Sequence, residues 1–378
     1  MSTSIVTRRR FAGALGALVG GGALARPLPA FASLSRGESP DLVQLNSNEN
    51  PYGPSPAALD ALARAQPLAC RYPDSAEEEL VEALARLHRV TPARIVLGCG
   101  SSDILRMADA AFLSGGRTLV AAEPTFEAVL LYARVTHSDA VKVPLTSDFR
   151  HDLARMAAAC DARTGLVYVC NPNNPTGTIV RGAELEAFLA RVPASATVLV
   201  DEAYHHFVED AAYRSATDWL AARPNLIVAR TFSKIYGMAG LRLGYAIASE
   251  ANAKALRAHA SWSNANAAVL AAALASLGDE TLVSTQRARI NGARRALCVE
   301  LERDGRRSIP SEANFVMIEI GSDVKPLIEA FKAKKILVGR RFAPLPTWLR
   351  VSVGRPEEMT AFLAVLRELV PARRASAS

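Results

Sequence analysis

Residues 231–242 read Thr-Phe-Ser-Lys-Ile-Tyr-Gly-Met-Ala-Gly-Leu-Arg, and this stretch separates two apolar runs of the chain. The run before it, Leu226–Ala229, and the run after it, Leu243–Ala248, have the composition of buried strands. The glycines inside the stretch predict a turn. The sequence therefore predicts a turn between two core strands that carries two hydroxyl groups, one lysine and one arginine.

These side chains suit a phosphorylated aldehyde such as pyridoxal phosphate. A lysine amine that is desolvated, or placed beside another cation, becomes a nucleophile that forms Schiff bases with carbonyls. Arg242 can offer a planar fork to a phosphate, and the hydroxyls of Thr231 and Ser233 add donors. For an isolated Ser-Lys pair, a solvated lysine in a surface loop is the ordinary alternative to a role for Lys234. The prediction therefore depends on the rest of the chain.

The composition indicates an ordinary globular protein. Half of the 378 residues are hydrophobic, and this length fits one large domain plus a smaller one. The formal net charge is +7, but four arginines and no acids lie in the first 32 residues, which leaves +3 for the remainder. No basic stripe with interleaved aromatic residues is present, so nucleic acid is not expected as a partner.

The N-terminal segment has the pattern of an export signal. Thr7-Arg8-Arg9-Arg10-Phe11 precedes a mildly apolar run, and Ala23–Ala25 and Ala30–Ala32 are candidate cleavage sites. The paired arginines resemble a twin-arginine signal, and the apolar run is too short and glycine-rich for a comfortable membrane span. An uncleaved anchor and a disordered basic tail are the alternatives. We predict that residues 1–32 engage the twin-arginine translocase and send the protein to the periplasm or cell exterior of a bacterium.

Apolar runs alternate with helical patterns from Ile95 to Ala248, which predicts an α/β fold with a largely parallel sheet covered on both faces. Before them, Ser75-x-x-Glu78 predicts a capping box that opens a helix. An Ala-rich helical pattern and then a mixed α+β pattern follow to the C-terminus. The predicted divisions after the signal are an N-terminal arm (33–72), a large domain (73–257) and a small domain (258–378).

Polar residues follow the predicted strands, where ligand sites of open α/β sheets lie. A glycine-rich turn, Gly98-Cys-Gly-Ser-Ser102, precedes a helix, so its backbone N–H groups could approach a phosphate. Phe126 follows the next strand and could lie over a flat heterocycle, although core packing is the ordinary reading of a lone phenylalanine. Asn174, within a proline-rich turn, offers an amide to a phenolate oxygen.

Asp201 stands at the end of the buried run Val198–Val200, where an unpaired charge would be costly. A cationic pyridinium nitrogen would satisfy it, and enzymes that use pyridoxal phosphate employ such a partner to keep the ring an electron sink. Tyr204 could reach the ring oxygen. Metal binding by Asp201 with His205 and His206 is the rival, but no further ligand cluster of known spacing accompanies them, and no metal is predicted.

Together these motifs resemble the fold-type I, pyridoxal-phosphate-dependent aminotransferases of class I/II, within them the histidinol-phosphate aminotransferase-like branch. The matching motifs run in family order from about residue 42 to the end: Leu45-x-x-Asn48-Glu49-Asn50-Pro51-x-Gly53-Pro54, Arg71-Tyr72-Pro73, Gly98-x-Gly100-Ser101, Asn173-Asn174-Pro175-Thr176-Gly177, Asp201-Glu202-Ala203-Tyr204, Ser233-Lys234, Ala239-Gly240-Leu241-Arg242, Ala313-Asn314-Phe315 and Leu349-Arg350-Val351-x-Val353-Gly354. The resemblance implies a large domain with a mostly parallel mixed sheet between helices, and a smaller α+β C-terminal domain.

The resemblance also implies roles for the cofactor site. Lys234 would form the Schiff base, Asp201 would pair with the pyridine nitrogen, and Asn174 and Tyr204 would face the phenolic oxygen. Phe126 would stack on the ring. The implied phosphate contacts are Ser101, Ser102, Thr231, Ser233 and Arg242. Tyr72 would reach the phosphate of the partner subunit's cofactor, which implies a homodimer with shared active sites.

For the substrate, the resemblance implies that Arg350 forks onto the α-carboxylate, with Tyr52 and Asn174 as further contacts. Arg340 falls near a second substrate arginine and is expected to meet a distal acidic group. The implied reaction is ping-pong transamination between an amino acid, or a histidinol-phosphate-like amine, and a 2-oxo acid. A pyridoxal-phosphate-dependent lyase, such as an amino-acid phosphate decarboxylase, is the alternative activity. A non-catalytic cofactor-binding module is disfavoured because Lys234 and Asp201 are both present.

Overall fold

The computed structural model describes residues 42–371. The predicted twin-arginine signal (1–32), the start of the predicted arm and the last seven residues lie outside the described residues.

Helices and strands alternate through the first two thirds of the described chain. The strands are β1 (Val43–Leu45), β2 (Ile95–Gly98), β3 (Thr118–Glu123), β4 (Ala140–Pro144), β5 (Thr164–Cys170), β6 (Thr197–Asp201), β7 (Leu226–Thr231), β8 (Gly244–Ala248), β9 (Ser308–Ile309), β10 (Phe315–Glu319), β11 (Ile336–Val338) and β12 (Trp348–Ser352). The α-helices are α1 (Pro56–Ala65), α2 (Asp74–His88), α3 (Ser101–Phe112), α4 (Ala128–Val135), α5 (Leu153–Ala158), α6 (Gly182–Arg191), α7 (Glu250–Arg257), α8 (Ala267–Leu277), α9 (Leu282–Arg303), α10 (Lys325–Ala333) and α11 (Pro356–Leu369).

The main sheet has seven strands in the order β2-β8-β7-β6-β5-β3-β4. Strands β3 to β7 pair in parallel, and β8 runs antiparallel to both of its neighbours. The carboxyl ends of β5, β6 and β7 therefore meet at one edge, where ligands of such sheets bind. The prediction of a mostly parallel sheet is confirmed.

Apolar residues are buried on both faces of this sheet. Along β5, Leu166 and Tyr168 pack into one hydrophobic cluster, whereas Val167 and Val169 pack into another on the opposite face. Successive side chains of a strand point to opposite faces, so a strand covered on both sides must be apolar throughout. Burial on both faces leaves only the strand ends for polar chemistry.

A smaller α+β part follows. Strands β12, β10 and β9 form an antiparallel sheet, and β1 pairs in parallel with β11. A separate hydrophobic cluster fills this part, including Leu45 from β1 and Phe331 and Phe362 from the helices. The segment after β1 thus begins on the C-terminal part of the fold. The domain boundary at residues 257/258 stays a prediction.

The predicted capping box at Ser75 is wrong. Helix α2 begins at Asp74, its N-cap is Pro73, and no side chain caps it. Ser75 is already a helical residue, so it cannot occupy the N-cap position. Acidic residues in the first turn, Asp74 and Glu77, stabilise this end through the helix dipole instead.

Within residues 42–371, no single helix is both long and apolar enough to cross a membrane. Helices α8 and α9 reach that length and hydropathy only when taken together, and the chain bends by 86° between them.

Candidate active site

A cavity of about 610 Å³ opens at the carboxyl edge of the main sheet. Most of the residues predicted from the sequence line it: Ser101, Ser102, Phe126, Asn174, Asp201, Tyr204, Thr231, Ser233, Lys234, Arg242, Arg340 and Arg350. They come from the end of β6, the end of β7, the start of α3, strand β12 and the connections that follow β3, β5, β6, β7 and β11. The fold therefore collects in one place side chains that are far apart in the sequence.

Asp201, the last residue of β6, is buried at the base of this cavity. Its carboxylate accepts hydrogen bonds from the Tyr168 hydroxyl at 2.9 Å and from the Ala203 backbone N–H at 3.1 Å. Burial raises the pKa of Asp201 to about 6, and these two hydrogen bonds oppose the rise. Among the described residues Asp201 forms no ion pair, although the charge of Lys234 in the same cavity also opposes the rise of its pKa.

The amine of Lys234 lies close to the backbone of the segment after β1. Its Nζ donates hydrogen bonds to the carbonyl oxygens of Asn48 at 2.9 Å and Ser47 at 3.2 Å. Burial, and next the positive charge of Arg350, lower the pKa of Lys234 to about 8. A larger fraction of this amine is therefore neutral near physiological pH than for a solvated lysine, which makes it a better nucleophile.

A second group of donors surrounds the N-terminus of α3. Gly100 precedes the helix with φ +81°, and a Cβ atom there would clash with the guanidinium of Arg242. Arg242 donates hydrogen bonds to the Ser233 hydroxyl at 3.3 Å and to the Ala239 carbonyl at 2.9 Å. Backbone N–H groups, a hydroxyl and a guanidinium thus converge where the helix dipole favours an anion.

Arg350 lies on β12 at the other side of the cavity. Its Nη1 donates to Asn174 Oδ1 at 2.6 Å, and its Nη2 donates to the Asn46 carbonyl at 2.8 Å. Burial lowers the pKa of Arg350 to about 10, and the nearby charge of Arg340 acts in the same direction. The Nε atom is buried without a hydrogen-bond partner. A buried donor left unsatisfied is costly, so this guanidinium retains capacity for a further acceptor.

Arg340 also lines the cavity, but its side chain is partly exposed to solvent at the cavity mouth. Its Nη2 lies 2.7 Å from Glu127 Oε2, and its guanidinium lies 4.2 Å from the ring centroid of Phe342. About half of each charged side chain is exposed, 53% for Arg340 and 44% for Glu127. The expected partner of Arg340, a distal acidic group, would therefore have to compete with Glu127.

Two predicted residues do not line this cavity. Tyr52 packs beside the guanidinium groups of Arg289 and Arg355, with ring distances of 5.2 and 5.7 Å. Tyr72 is 84% exposed on the segment before α2.

Sequence reasoning missed the contribution of the segment Asn46–Glu49, which lines the cavity. Asn48 Nδ2 donates to the Tyr204 hydroxyl at 3.1 Å, and the Asn48 carbonyl accepts from Lys234 and from Asn314 Nδ2. The sequence signal was the polar, Pro-rich motif itself, to which no role was assigned. It also missed Tyr168 and Glu127, since an isolated tyrosine in a strand and a glutamate before a helix carry no distinctive pattern.

The described residues contain no cluster of three or more His, Cys, Asp or Glu side chains placed to hold a metal. The rings of His205 and His206 lie against each other at an angle of 42°, with centroids 3.7 Å apart. Burial, and next the charge of Arg230, lower the pKa of His206 to about 3. The two imidazoles therefore lie in an apolar, cationic environment that disfavours a further positive charge.

Comparisons with known proteins agree with this geometry. A model of the aminotransferase class I and II family matches residues 40–366. A histidinol-phosphate aminotransferase from Moorella thermoacetica is 40% identical over 333 residues, which cover 87% of this chain and 86% of that protein. An aromatic amino acid aminotransferase from Rhodococcus erythropolis is 40% identical over 328 residues, 86% of this chain and 89% of that protein.

A solved histidinol-phosphate aminotransferase from Sinorhizobium meliloti, in complex with pyridoxal-5'-phosphate, superposes with a TM-score of 0.83 at 28% identity. That match covers 92% of this chain and 98% of the other. The lyase alternative is not favoured, because the relatives that match at about 40% identity are aminotransferases. The chain belongs to the aminotransferase class I and II family.

Proposed function

We propose that this protein transfers an amino group between an amine that carries one anionic group and a 2-oxo acid, with pyridoxal phosphate as cofactor. One observation carries the proposal: Lys234, Asp201 and the donors around Arg242 line a single cavity at the carboxyl edge of the sheet.

The residues present fit pyridoxal phosphate. The buried carboxylate of Asp201 has two neutral donors and forms no ion pair among the described residues, so a protonated pyridine nitrogen would complete it. Only glycine fits at position 100, and this leaves the α3 N-terminus and Arg242 close together as a phosphate cradle with Ser101, Ser102, Thr231 and Ser233. When bound, the cofactor supplies an electron sink for charge that develops on the substrate.

The remaining cavity residues would orient the ring. Asn174 and Tyr204 line the same cavity as Lys234 and would face the phenolic oxygen, while Phe126 offers an aromatic surface for stacking. Asn48 and Arg350 hold Tyr204 and Asn174 through hydrogen bonds of 3.1 and 2.6 Å. These contacts restrict the rotamers of both side chains and so support a fixed ring position.

Lys234 would act first as a nucleophile and then as a proton carrier. With its pKa near 8, the amine exchanges a proton readily around neutral pH, as a general base and acid must. We assign to its Nζ atom the removal of the proton from the substrate Cα. The carbonyl groups of Asn48 and Ser47 would hold the amine while it is protonated.

Arg350 would receive the anionic group of the substrate. Its guanidinium lines the cavity with neutral oxygens as hydrogen-bond partners, and its fixed position on β12 favours bidentate pairing with a carboxylate or a phosphate. An amino acid would present its α-carboxylate, and a histidinol-phosphate-like amine would present its phosphate. The similarity to a histidinol-phosphate aminotransferase and to an aromatic amino acid aminotransferase supports both substrate classes.

A donor panel tests this function. The holoenzyme is incubated with histidinol phosphate, phenylalanine or histidine and a 2-oxo acid, and the amino and oxo products are quantified by chromatography. We expect one new amino acid for each oxo product and no release of carbon dioxide. Carbon dioxide released in step with donor loss, without amino transfer, would contradict the proposal.

We further propose a homodimer in which Tyr72 serves the partner's site. The 84% exposure of this aromatic ring, outside the cavity of its own chain, supports the proposal. Light scattering should give a two-chain mass, and Tyr72→Phe should weaken cofactor retention. A fully active monomer at assay concentration would refute it.

We also propose export by the twin-arginine route to the periplasm or cell exterior. The motif Thr7–Phe11 supports the proposal. Replacement of Arg8 and Arg9 by lysine should keep the protein inside the cell, measured by fractionation and immunoblotting. Unchanged export of that variant would contradict the route.

A further inference from the structure

The mouth of the cavity holds an ion pair that the proposed reaction does not use. Glu127 stands between β3 and α4, and Arg340 follows β11, so two separate parts of the chain meet there. Their charged atoms lie 2.7 Å apart, and both side chains line the cavity. Phe342 lies under the guanidinium of Arg340, and the Arg341 carbonyl accepts from its Nη1 at 3.2 Å.

We propose that Glu127 determines how readily this site accepts a second anionic group on the substrate. Because Glu127 pairs with Arg340, the two charges cancel at the mouth of the cavity. Substrates with one anionic group and a neutral, flat side chain are therefore preferred. The proposal rests on the proposed function, because it assumes that the first anion binds to Arg350.

The two arginines differ in what they offer to an anion. Arg350 is buried and donates to the neutral oxygens of Asn174 and Asn46, whereas Arg340 already has a carboxylate, an aromatic ring and a carbonyl as partners. A distal carboxylate or phosphate would have to displace Glu127 and would then lie beside its negative charge. The ligand anion and the Glu127 carboxylate would repel each other, and such repulsion selects against a ligand with a second anionic group.

A neutral ring meets no such obstacle. Phe342, Ile328 and Val338 supply apolar surface to the cavity that Arg340 and Glu127 also line. An aromatic or imidazole side chain can pack on this surface while the Glu127–Arg340 pair stays intact. Both the imidazole of a histidinol-phosphate-like amine and the ring of an aromatic amino acid meet this description.

The expected effect is modest because the pair is half exposed. Exposed ion pairs are worth at most about 1 kcal/mol, which corresponds to about a fivefold change in affinity. Removal of the Glu127 charge also removes its repulsion of the ligand. We therefore expect the affinity for a ligand with two anionic groups to rise about three- to tenfold in total.

Unreactive acids that lack the amino group measure the effect without turnover. Isothermal titration of the holoenzyme compares glutarate, which has two carboxylates, with 3-phenylpropanoate, which has one carboxylate and a flat ring. Glu127→Gln should bind glutarate about three- to tenfold more tightly and change 3-phenylpropanoate by less than about twofold. In Arg340→Gln the same substitution of Glu127 should improve glutarate binding by a smaller factor, because it relieves the repulsion but frees no guanidinium.

Glu123→Gln is the matched control. Glu123 is also a half-exposed acid in one ion pair, with Lys142 Nζ at 2.9 Å, but it does not line the cavity. Its substitution removes the same charge and should leave both affinities unchanged. An equal gain for glutarate in Glu123→Gln would assign the effect to overall charge and overturn the proposal.

The outcomes distinguish a failure of the selective role of Glu127 from a failure of the proposed function. If both acids bind and Glu127→Gln alters them equally or not at all, Glu127 has no selective role and the proposed function stands. If neither acid binds to the cofactor-loaded protein, the anion site at Arg350 is wrong, and the role of Glu127 falls with it.

Discussion

The cavity has two halves that are formed by different kinds of segment and differ in how deeply their side chains are buried. The strand-edge half lies at the ends of β6 and β7 and in the connection from β7 to β8, and it consists of Asp201, Thr231, Ser233, Lys234 and Arg242. The mouth consists of Glu127, Arg340 and Phe342, in connections outside the main sheet. Asp201 is 2% exposed, whereas the Arg340 side chain is 53% exposed.

The strength of electrostatic effects differs between the two halves. Asp201 and Lys234 interact with their surroundings through protein, so burial raises the pKa of Asp201 to about 6 and lowers the pKa of Lys234 to about 8. A charge at the mouth interacts largely through water and is screened. Substitutions in the strand-edge half should therefore have large effects on chemistry, and substitutions at the mouth should have small effects on selectivity.

Lys234→Ala is the most severe test of the strand-edge half. Loss of the nucleophile and proton carrier should lower kcat by at least about 10²- to 10⁴-fold, the range of general acid–base catalysis alone. The variant should still bind pyridoxal phosphate without a covalent bond. Borohydride reduction followed by peptide mapping of the wild type checks the assignment, and a reduced adduct on a different lysine would contradict it.

Asp201→Asn tests the cost of the buried carboxylate. Because the pKa of Asp201 is raised from 3.8 to about 6, the folded protein binds its proton more tightly than the unfolded chain. The contribution of Asp201 to the free energy of unfolding therefore falls as the pH rises from about 4 to 6, by about 3 kcal/mol at most.

Without cofactor, Asp201→Asn should accordingly be more stable than the wild type at pH 8, and the difference should vanish near pH 4. Urea unfolding of both cofactor-free proteins at the two pH values measures it. The same variant should bind pyridoxal phosphate more weakly, because Asn cannot pair with a pyridinium. A wild type that is equally stable at pH 8 would show that Asp201 is not strained in the free protein.

The expected effect of Arg350→Ala is smaller than that of substitutions in the strand-edge half and larger than that of substitutions at the mouth. Loss of a charge-assisted pair costs about 1.5–3 kcal/mol, or about ten- to a hundredfold in kcat/KM. Both half-reactions should suffer with every amino acid, since all carry an α-carboxylate. Steady-state kinetics with a neutral and an acidic donor checks this, and a loss confined to the acidic donor would exchange the roles of Arg350 and Arg340.

Arg340→Ala should have the smallest effect. Its half-exposed charge is already paired with Glu127, so the loss for an acidic donor should be less than about fivefold, and neutral donors should be unaffected. The ratio of kcat/KM for glutamate and phenylalanine measures this. A loss near a hundredfold for glutamate would mean that the Glu127 pair opens freely on binding.

The sequence pattern was sufficient to predict the architecture and the strand-edge half of the site. Short apolar runs such as Leu166–Cys170 favour strands buried on both faces, and their alternation with helical patterns predicts a parallel sheet. Polar residues that directly follow such runs must gather at one edge. Asp201 and Lys234 were therefore predictable, because their position depends on the nearest strand end.

The groups that these residues contact depend on the tertiary structure, because the contacts join positions far apart in the sequence. Arg350 and Asn174 are 176 positions apart, and Arg350 and Asn46 are 304 apart. The three-residue strand β1 is too short to leave a periodic signal, yet its pairing with β11 brings Asn48 to Lys234. Glu127 and Arg340 meet through two unrelated connections. Local pattern encodes burial and strand direction, whereas contacts across the cavity depend on how distant segments pack, and no local pattern records that.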